Sequence, residues 1–382
     1  MMSLKSKNEL LEVVRPRYLR ANKIEKQKIL DEFTSATGYH RKHAIRVLKN
    51  QVQVQNRFKG KNKTYKTIYR GKVVEALEQI WEIYGRICSK RLQPFLPEAI
   101  KVLERCKEIE LSKDDKELLL KISSASIDRC LRPVRIKSAH GLSTTKPGSL
   151  LKKLIAVRTF TEWDDEQPGF MEIDLVAHCG GSVAGQFLCT LTCTDICTGW
   201  TDVTGLLHRS QQAVSEAIHR MRQRLPFPLR GIDSDNGGEF INDLLYHYCL
   251  DEEITFTRSR PYQKNDQAHV EQKNWSVVRH VVGYDRWETE QELALLESIY
   301  DDLRLYINFF QPSFKLIAKE RIGNQTVKRY DPAKTPYQRV CERKDISLDA
   351  KARLTNAYVH LNPAELRRLI DQKVAQLWKI SR

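Results

Sequence analysis

The run FMEIDLVAHC, residues 170–179, decides the fold class of this chain. Met171, Ile173, Leu175 and Ala177 alternate with Glu172, Asp174, Val176 and His178, the period-two pattern of a strand with two unlike faces. Aspartate is disfavoured in the middle of a strand, so Asp174 calls for a reason other than folding. GGSVAG at 180–185 is a hairpin signal, QFLCTLTCTDIC at 186–197 reads as the partner strand, and GWTDVTGLL at 199–207 as a third. SQQAVSEAIHRMRQRL at 210–225 is an amphipathic helix with Ala213, Ala217, Ile218, Met221 and Leu225 inward. A short strand at 229–235, a helix from about 239 to 250, a strand at 254–257 and a long helix from about 266 to 282 follow. Pattern alone makes this a mixed α/β domain.

Upstream the character changes. Residues 1–160 hold 36 Lys/Arg against 16 Asp/Glu, while residues 161–382 hold 28 against 32. An excess of positive charge confined to one half points to a polyanion, with nucleic acid the leading partner. KIEKQKILDEFTSATGYHRKHAIRVLKN, residues 23–50, reads as a helix carrying Ile24, Ile29, Leu30 and Phe33, a TGYH break and a short basic helix. Helix, tight turn and basic helix is the pattern of a helix-turn-helix, with Arg41, Lys42 and Arg46 outward. Residues 56–72 carry seven Lys/Arg and no acid, and Lys59, Lys61 and Lys63 within them suit a strap along phosphates. SKDDKELLLKISSASIDRCLRP, residues 112–133, fits a second helix-turn-helix with Ser123 or Ser124 as the cap and Arg129 on the reading helix.

The expected organisation is multidomain: an all-α helix-turn-helix region, an α/β core, and a small C-terminal accessory region. The boundaries run 1–55, a basic linker 56–71, a second helical module 72–135, a linker 136–168, the core 169–310, and 311–382. In the last segment FKLIAKERIGNQTVKRY, residues 314–330, reads as a basic hairpin around Gly323-Asn324, and NPAELRRLIDQKVAQLW, residues 362–378, as a helix. No run approaches eighteen uninterrupted apolar residues, and the charged first twenty residues lack a signal-peptide core, so no membrane partner and a cytoplasmic location are expected. The nine cysteines contain no pair at zinc spacing; Cys189, Cys193 and Cys197 read as small core residues.

Carboxylates carry the functional signal. Along NDQAHVEQKNWSVVRHVV, residues 265–282, an apolar stripe of Ala268, Trp275, Val278 and Val282 is completed by Glu271. A carboxylate on a buried face needs compensation, from a buried arginine or better from a metal ion, unless Glu271 stands at the edge of the stripe and reaches water. GIDSDNGGEF, residues 231–240, places Asp233 and Asp235 on one face just before an Asn-Gly turn. Three carboxylates from two strands and a helix suit Mg²⁺, a hard cation that prefers oxygen ligands.

In Asp174 of EIDLVAHCGG, Asp235 of DSDNGGEF and Glu271 of RPYQKNDQAHVEQKNW, residues 165–310 resemble the DDE transposases with a retroviral-integrase-like catalytic core. Thirty-five residues separate Asp235 from Glu271, the family's named spacing; the Asp-Asn-Gly with Glu-Phe and the PY before HVE match as well. The resemblance implies a ribonuclease-H-like core, Mg²⁺ with Mn²⁺ able to replace it, and Asp174, Asp235 and Glu271 as catalytic metal ligands. It passes over Asp233. Retroviral integrases carry an N-terminal zinc module of paired His and paired Cys, whereas His40 and His43 have no cysteine pair here. The two helix-turn-helix candidates instead resemble modules of bacterial insertion-sequence transposases that bind the element's ends.

The implied function is a transposase that nicks the ends of a mobile element and joins the freed 3′-hydroxyl to double-stranded target DNA. It would act as a homo-oligomer on DNA, with Lys264, Lys273 and Arg279 as phosphate contacts beside the site. Two rivals stand beside it: a ribonuclease-H-like nuclease or resolvase that cuts without joining, and an inactive helix-turn-helix DNA-binding regulator.

Overall fold

The computed structural model describes residues 2–49, 68–137, 167–235, 237, 239–240, 242–258, 268–322 and 325–380. Lys59, Lys61, Lys63, Lys264 and the Gly323-Asn324 turn lie outside the described residues. Two compact units are present, Met1–Ile68 and Tyr69–Arg382.

The first unit is three helices: α1 (Leu4–Arg20), α2 (Lys23–Thr37) and α3 (Arg41–Lys49). Asn22 and Glu25 form a reciprocal capping box at the start of α2, and Gly38, at φ 67°, ends it. Tyr18, Ile29, Leu30, Phe33, Ala44 and Leu48 form the core. Ile24, read as part of the apolar stripe, is instead 73% exposed, being in the first turn beyond the reach of α1 and α3. Arg41, Lys42 and Arg46 are exposed, though Arg41 is ion-paired with Asp31.

The second unit opens with α4 (Lys72–Ile83), α5 (Ser89–Arg105), α6 (Lys113–Leu120) and α7 (Ser124–Lys137). Their amphipathic faces bury Leu77, Ile80, Trp81, Leu92, Leu96, Ile100 and Leu131. Ser123 accepts the Ser126 amide at 3.2 Å and so caps α7.

The sheet comprises β1 (Phe170–Ala177), β2 (Cys189–Asp195), β3 (Thr201–Leu206), β4 (Gly231–Ser234) and β5 (Thr255–Arg258), in the order β3-β2-β1-β4-β5. The first three strands are antiparallel neighbours, while β4 runs parallel to β1 and β5 parallel to β4. This is a mixed α/β sheet with the strand order expected of a ribonuclease-H-like core. Between strands lie α8 (Gln211–Arg224) and α9 (Asp243–Asp251). After β5 comes α10 (Ala268–Lys273), which continues through a π-helical segment (Asn274–Arg279) into α11 (His280–Val282), followed by α12 (Glu290–Phe310). The tail forms the hairpin β6 (Leu316–Ile322) and β7 (Gln325–Tyr330), then α13 (Pro336–Glu342), α14 (Leu348–His360) and α15 (Pro363–Ile380).

The two faces of the sheet differ in chemistry. Ile173, Cys193 and Ile232 meet Ile218, Met221 and Leu225 of the α8 region in an apolar layer. On the other face Glu172, Thr190, Thr192, Thr194, Thr201 and Asp233 are all buried. Buried polar groups must be satisfied, and α12 does part of this. Tyr300 shares a 2.6 Å hydroxyl contact with Thr190. Asn308 accepts the Thr201 amide at 2.8 Å and donates to the Thr201 carbonyl at 2.7 Å, so its carboxamide stands where a further strand would pair with the edge strand β3. Asn308→Ala leaves both buried groups without that partner and is expected to cost about 2–4 kcal/mol. Urea unfolding of the full chain measures it; an unchanged midpoint would mean the carboxamide is dispensable.

The helical block and the tail dock on the same scaffold. The Tyr306 hydroxyl donates to the Ile83 carbonyl at 2.6 Å, Gln311 donates to Tyr84 at 2.9 Å, and Arg105 reaches the carbonyls of Tyr358 and Leu361. Residues 72–135 and 311–382 therefore pack around the core domain within one unit.

Candidate active site

The parallel register of β1 and β4 builds the centre of the site. The β1–β4 ladder ends where Ile173 pairs with Ser234, so the next residues are Asp174, still within β1 and paired with Thr192 of β2, and Asp235, the first residue past the end of β4. Loops beyond the carboxyl ends of parallel strands are where α/β sheets present functional groups. One rung earlier, Glu172 and Asp233 oppose each other on the same face and are buried at 1% and 0% exposure. Asp233 accepts the Thr257 hydroxyl at 2.7 Å inside the sheet. Asp174 and Asp235 are only half-buried. The two aspartates of GIDSD are thus separated by depth.

The helix carrying Glu271 lies along β1, bonded to it by polar rungs. Glu172 accepts the Val270 amide at 3.0 Å, in the first turn of α10, where a carboxylate also complements the helix dipole. Asp174 Oδ2 accepts the Asn274 carboxamide at 2.6 Å, and the Ala177 carbonyl accepts Arg279 at 2.7 Å. Partners at 172, 174 and 177 on the strand meet 270, 274 and 279 on the helix, steps of four and then five residues. The five-residue step spans the π-helical segment.

That segment corrects the helical stripe. Trp275 is 61% exposed and Glu271 is exposed, whereas Val270, Val277, Val278 and Val282 are buried. The inward face is chosen by the rungs to β1, and the wide turn rotates the later residues away from a 3.6-residue period. Glu271 therefore needs no compensation for burial.

Electrostatics tie the three carboxylates together. Burial, then the like charge of Asp235, then that of Glu271 push the Asp174 carboxyl up to about 7, against bonds from the Leu175 amide and Asn274. Burial also raises Asp235, which accepts the Gly237 amide at 2.8 Å. Among the described residues no three His, Cys, Asp or Glu side chains stand close enough together to hold a metal ion between them. The donor set is nonetheless all oxygen, with no cation beside Asp174 among the described residues, a chemistry that suits a hard divalent ion.

The remaining basic candidates divide. Arg129 is exposed and bonds Ser126. Lys273 is half-buried, and burial with the nearby Arg91 and Arg339 lowers it to about 8. Arg279 turns inward, stacks over Tyr284 at 4.8 Å, and its guanidinium is lowered by burial. His178, just past the end of β1, is fully buried and bonded to Thr190 at 2.7 Å, and burial lowers it to about 3, which favours the neutral ring. Three residues were not singled out for a role in the sequence: Glu172 and Asn274, which fix α10 on β1, and Glu239, a nearly buried carboxylate held by Arg209 at 2.5 Å. Only Glu239 left a trace, as the Glu of DNGGEF.

Relatives can now be set beside this geometry. The chain is 43% identical over 340 residues to uncharacterized protein y4rM of Sinorhizobium fredii (strain NBRC 101917 / NGR234), covering 88% of this chain and 96% of that one. The two belong to one protein family. No family model matches the chain. Among solved structures it is similar to the HTLV-2 integrase catalytic core domain in complex with magnesium (dimeric form), at 15% identity and TM-score 0.29, covering 38% of this chain and 90% of that one. The BIV integrase catalytic core domain is similar at 16% identity and TM-score 0.29, covering 44% and 91%. The fold assignment rests on the strand order and register described above.

Proposed function

We propose that the chain is a DNA transposase that binds the ends of a mobile element, nicks them and joins the freed 3′-hydroxyl to target DNA. The observation that carries this reading is that Asp174 on β1 and Asp235 just past β4 are the next residues after the last rung of the β1–β4 ladder, with the Glu271 helix laid along β1. Asp174, Asp235 and Glu271 would hold Mg²⁺ or Mn²⁺. When bound, a pair of such ions activates the attacking oxygen and stabilises the leaving oxygen of an in-line displacement at phosphorus.

The chain's own residues supply orientation. Asn274 fixes one oxygen of Asp174, the Gly237 amide fixes one of Asp235, and Glu172 anchors the first turn of the helix that brings Glu271. Water attacks first at the element's end, and the resulting 3′-hydroxyl attacks the target, so no covalent protein–DNA intermediate is needed. The basic first unit, with Arg41, Lys42 and Arg46 exposed on α3, is the end-binding module in this reading, and Arg129 on α7 adds a second contact. Two ends joined in one event require at least two copies on DNA. No helix among the described residues is long and apolar enough to cross a membrane.

The test is a strand-transfer assay with labelled duplexes carrying the inverted repeats that flank the gene. Joined product is expected with Mg²⁺ or Mn²⁺ and none with EDTA. Metal-dependent nicking without joining would replace the transposase by the nuclease reading.

A further inference from the structure

We infer that Glu239, clamped by Arg209, is a positioning residue that sets the turn presenting Asp235. Glu239 is 8% exposed, and its counter-ion Arg209 comes from the loop between β3 and α8, thirty residues earlier in sequence. Its carboxylate lies against Gly237: a Cβ built there would stand 2.6 Å from Oε1 and 2.7 Å from Oε2. Gly237 is the residue whose amide holds Asp235 Oδ1 at 2.8 Å. Any side chain at Gly237 would have to displace the clamped Glu239 carboxylate.

The rest of the turn closes on the same group. The Phe240 amide donates to the Gly237 carbonyl at 3.0 Å, and Asn242, the cap of α9, donates to the Glu239 carbonyl at 2.7 Å. Glu239 and Arg209 act on Asp235 with opposite sign, the first raising its carboxyl and the second lowering it. The ion pair thus sets two opposing charges beside Asp235, next to the Gly237 amide that holds its carboxylate. Without Arg209, Glu239 would be a buried unpaired charge next to a metal ligand, free to swing toward the cation.

This inference rests on the metal-binding reading of Asp235, and the experiment separates the two. Full-length wild type, Glu239→Gln, Arg209→Met and Arg209→Lys are compared by calorimetric titration with Mn²⁺. Metal-free hydrogen exchange at the amides of Gly237, Phe240 and Asn242 and the melting temperature are measured alongside. Glu239→Gln and Arg209→Met are expected to weaken Mn²⁺ binding about tenfold, the usual scale for residues that orient a ligand from behind. Exchange at the three amides is expected to quicken by a similar factor, with melting within about 3 °C of wild type. Arg209→Lys, which keeps the charge, is expected to restore most of both. Unchanged exchange and Mn²⁺ affinity in Glu239→Gln would overturn the inference, as would Arg209→Lys behaving like Arg209→Met. If wild type itself shows no saturable Mn²⁺ binding, the metal reading fails, and the exchange rates alone then decide whether the pair sets the turn.

Discussion

Asp235→Asn is expected to lower strand joining by at least about 10³-fold, some 4 kcal/mol of transition-state stabilisation, while the protein melts near the wild-type temperature. The asparagine keeps the shape and can still accept the Gly237 amide now bonded to Oδ1, so the turn survives. What is lost is the charge and the second anionic oxygen facing the phosphate. Asp233→Asn makes the contrasting control. Asp233 sits two residues away on the same face but is fully buried and accepts the Thr257 hydroxyl, so its substitution is expected to lower the melting temperature. Joining by the folded fraction should stay within about threefold of wild type. A gel assay of joined product at saturating metal measures both variants. Joining by Asp235→Asn within tenfold of wild type would remove Asp235 from the site, and a reversed ranking would make Asp233 the ligand.

The contrast between these two residues also marks what the sequence could show. Alternation from Met171 to Ala177 is a local, period-two signal, so β1 and its unlike faces were legible. The spacing of Asp174, Asp235 and Glu271 was legible for the same reason, as short runs of fixed type. The β1–β4 register was not, because parallel pairing joins segments some sixty residues apart through α8 and the antiparallel strands. Glu271 was misplaced for a different reason. A 3.6-residue stripe assumes a regular helix, and the π segment from Asn274 breaks that period while three polar bonds choose the buried side. Lys273 and Arg279 looked like outward cations because charge in a sequence carries no direction; one is half-buried and the other is bonded to backbone carbonyls. The α4–α7 block and the tail share one apolar core with the sheet and α12, and contacts between segments so distant in sequence, like the bond from Tyr306 to Ile83, leave no periodic trace.

Mn²⁺ is expected to stabilise the full chain at pH 8 by about 2.7 kcal/mol at a hundredfold excess over its dissociation constant, and progressively less below pH 7. The sign follows from Asp174. Its folded carboxyl is raised from 3.8 to about 7 by burial and by the like charges of Asp235 and Glu271. Between those values the folded chain holds a proton that the unfolded chain has released, so stability without metal falls as pH climbs from about 4 to about 7 and levels off above it. Metal binding must expel that proton below pH 7, which weakens the apparent affinity by about tenfold per pH unit, and needs no such expulsion above it. Asp174→Asn carries no titrating group at this position and should flatten both the metal-free slope and the Mn²⁺-dependent gain. Melting curves from pH 5 to pH 8, with and without Mn²⁺, measure the two together. A Mn²⁺ gain of equal size at pH 5 and pH 8 would mean that the cation does not meet Asp174. A full gain in Asp174→Asn would place it elsewhere on the chain. The same carboxylate that costs the empty fold stability near neutral pH is therefore the one expected to return it when a cation is held between β1, β4 and α10.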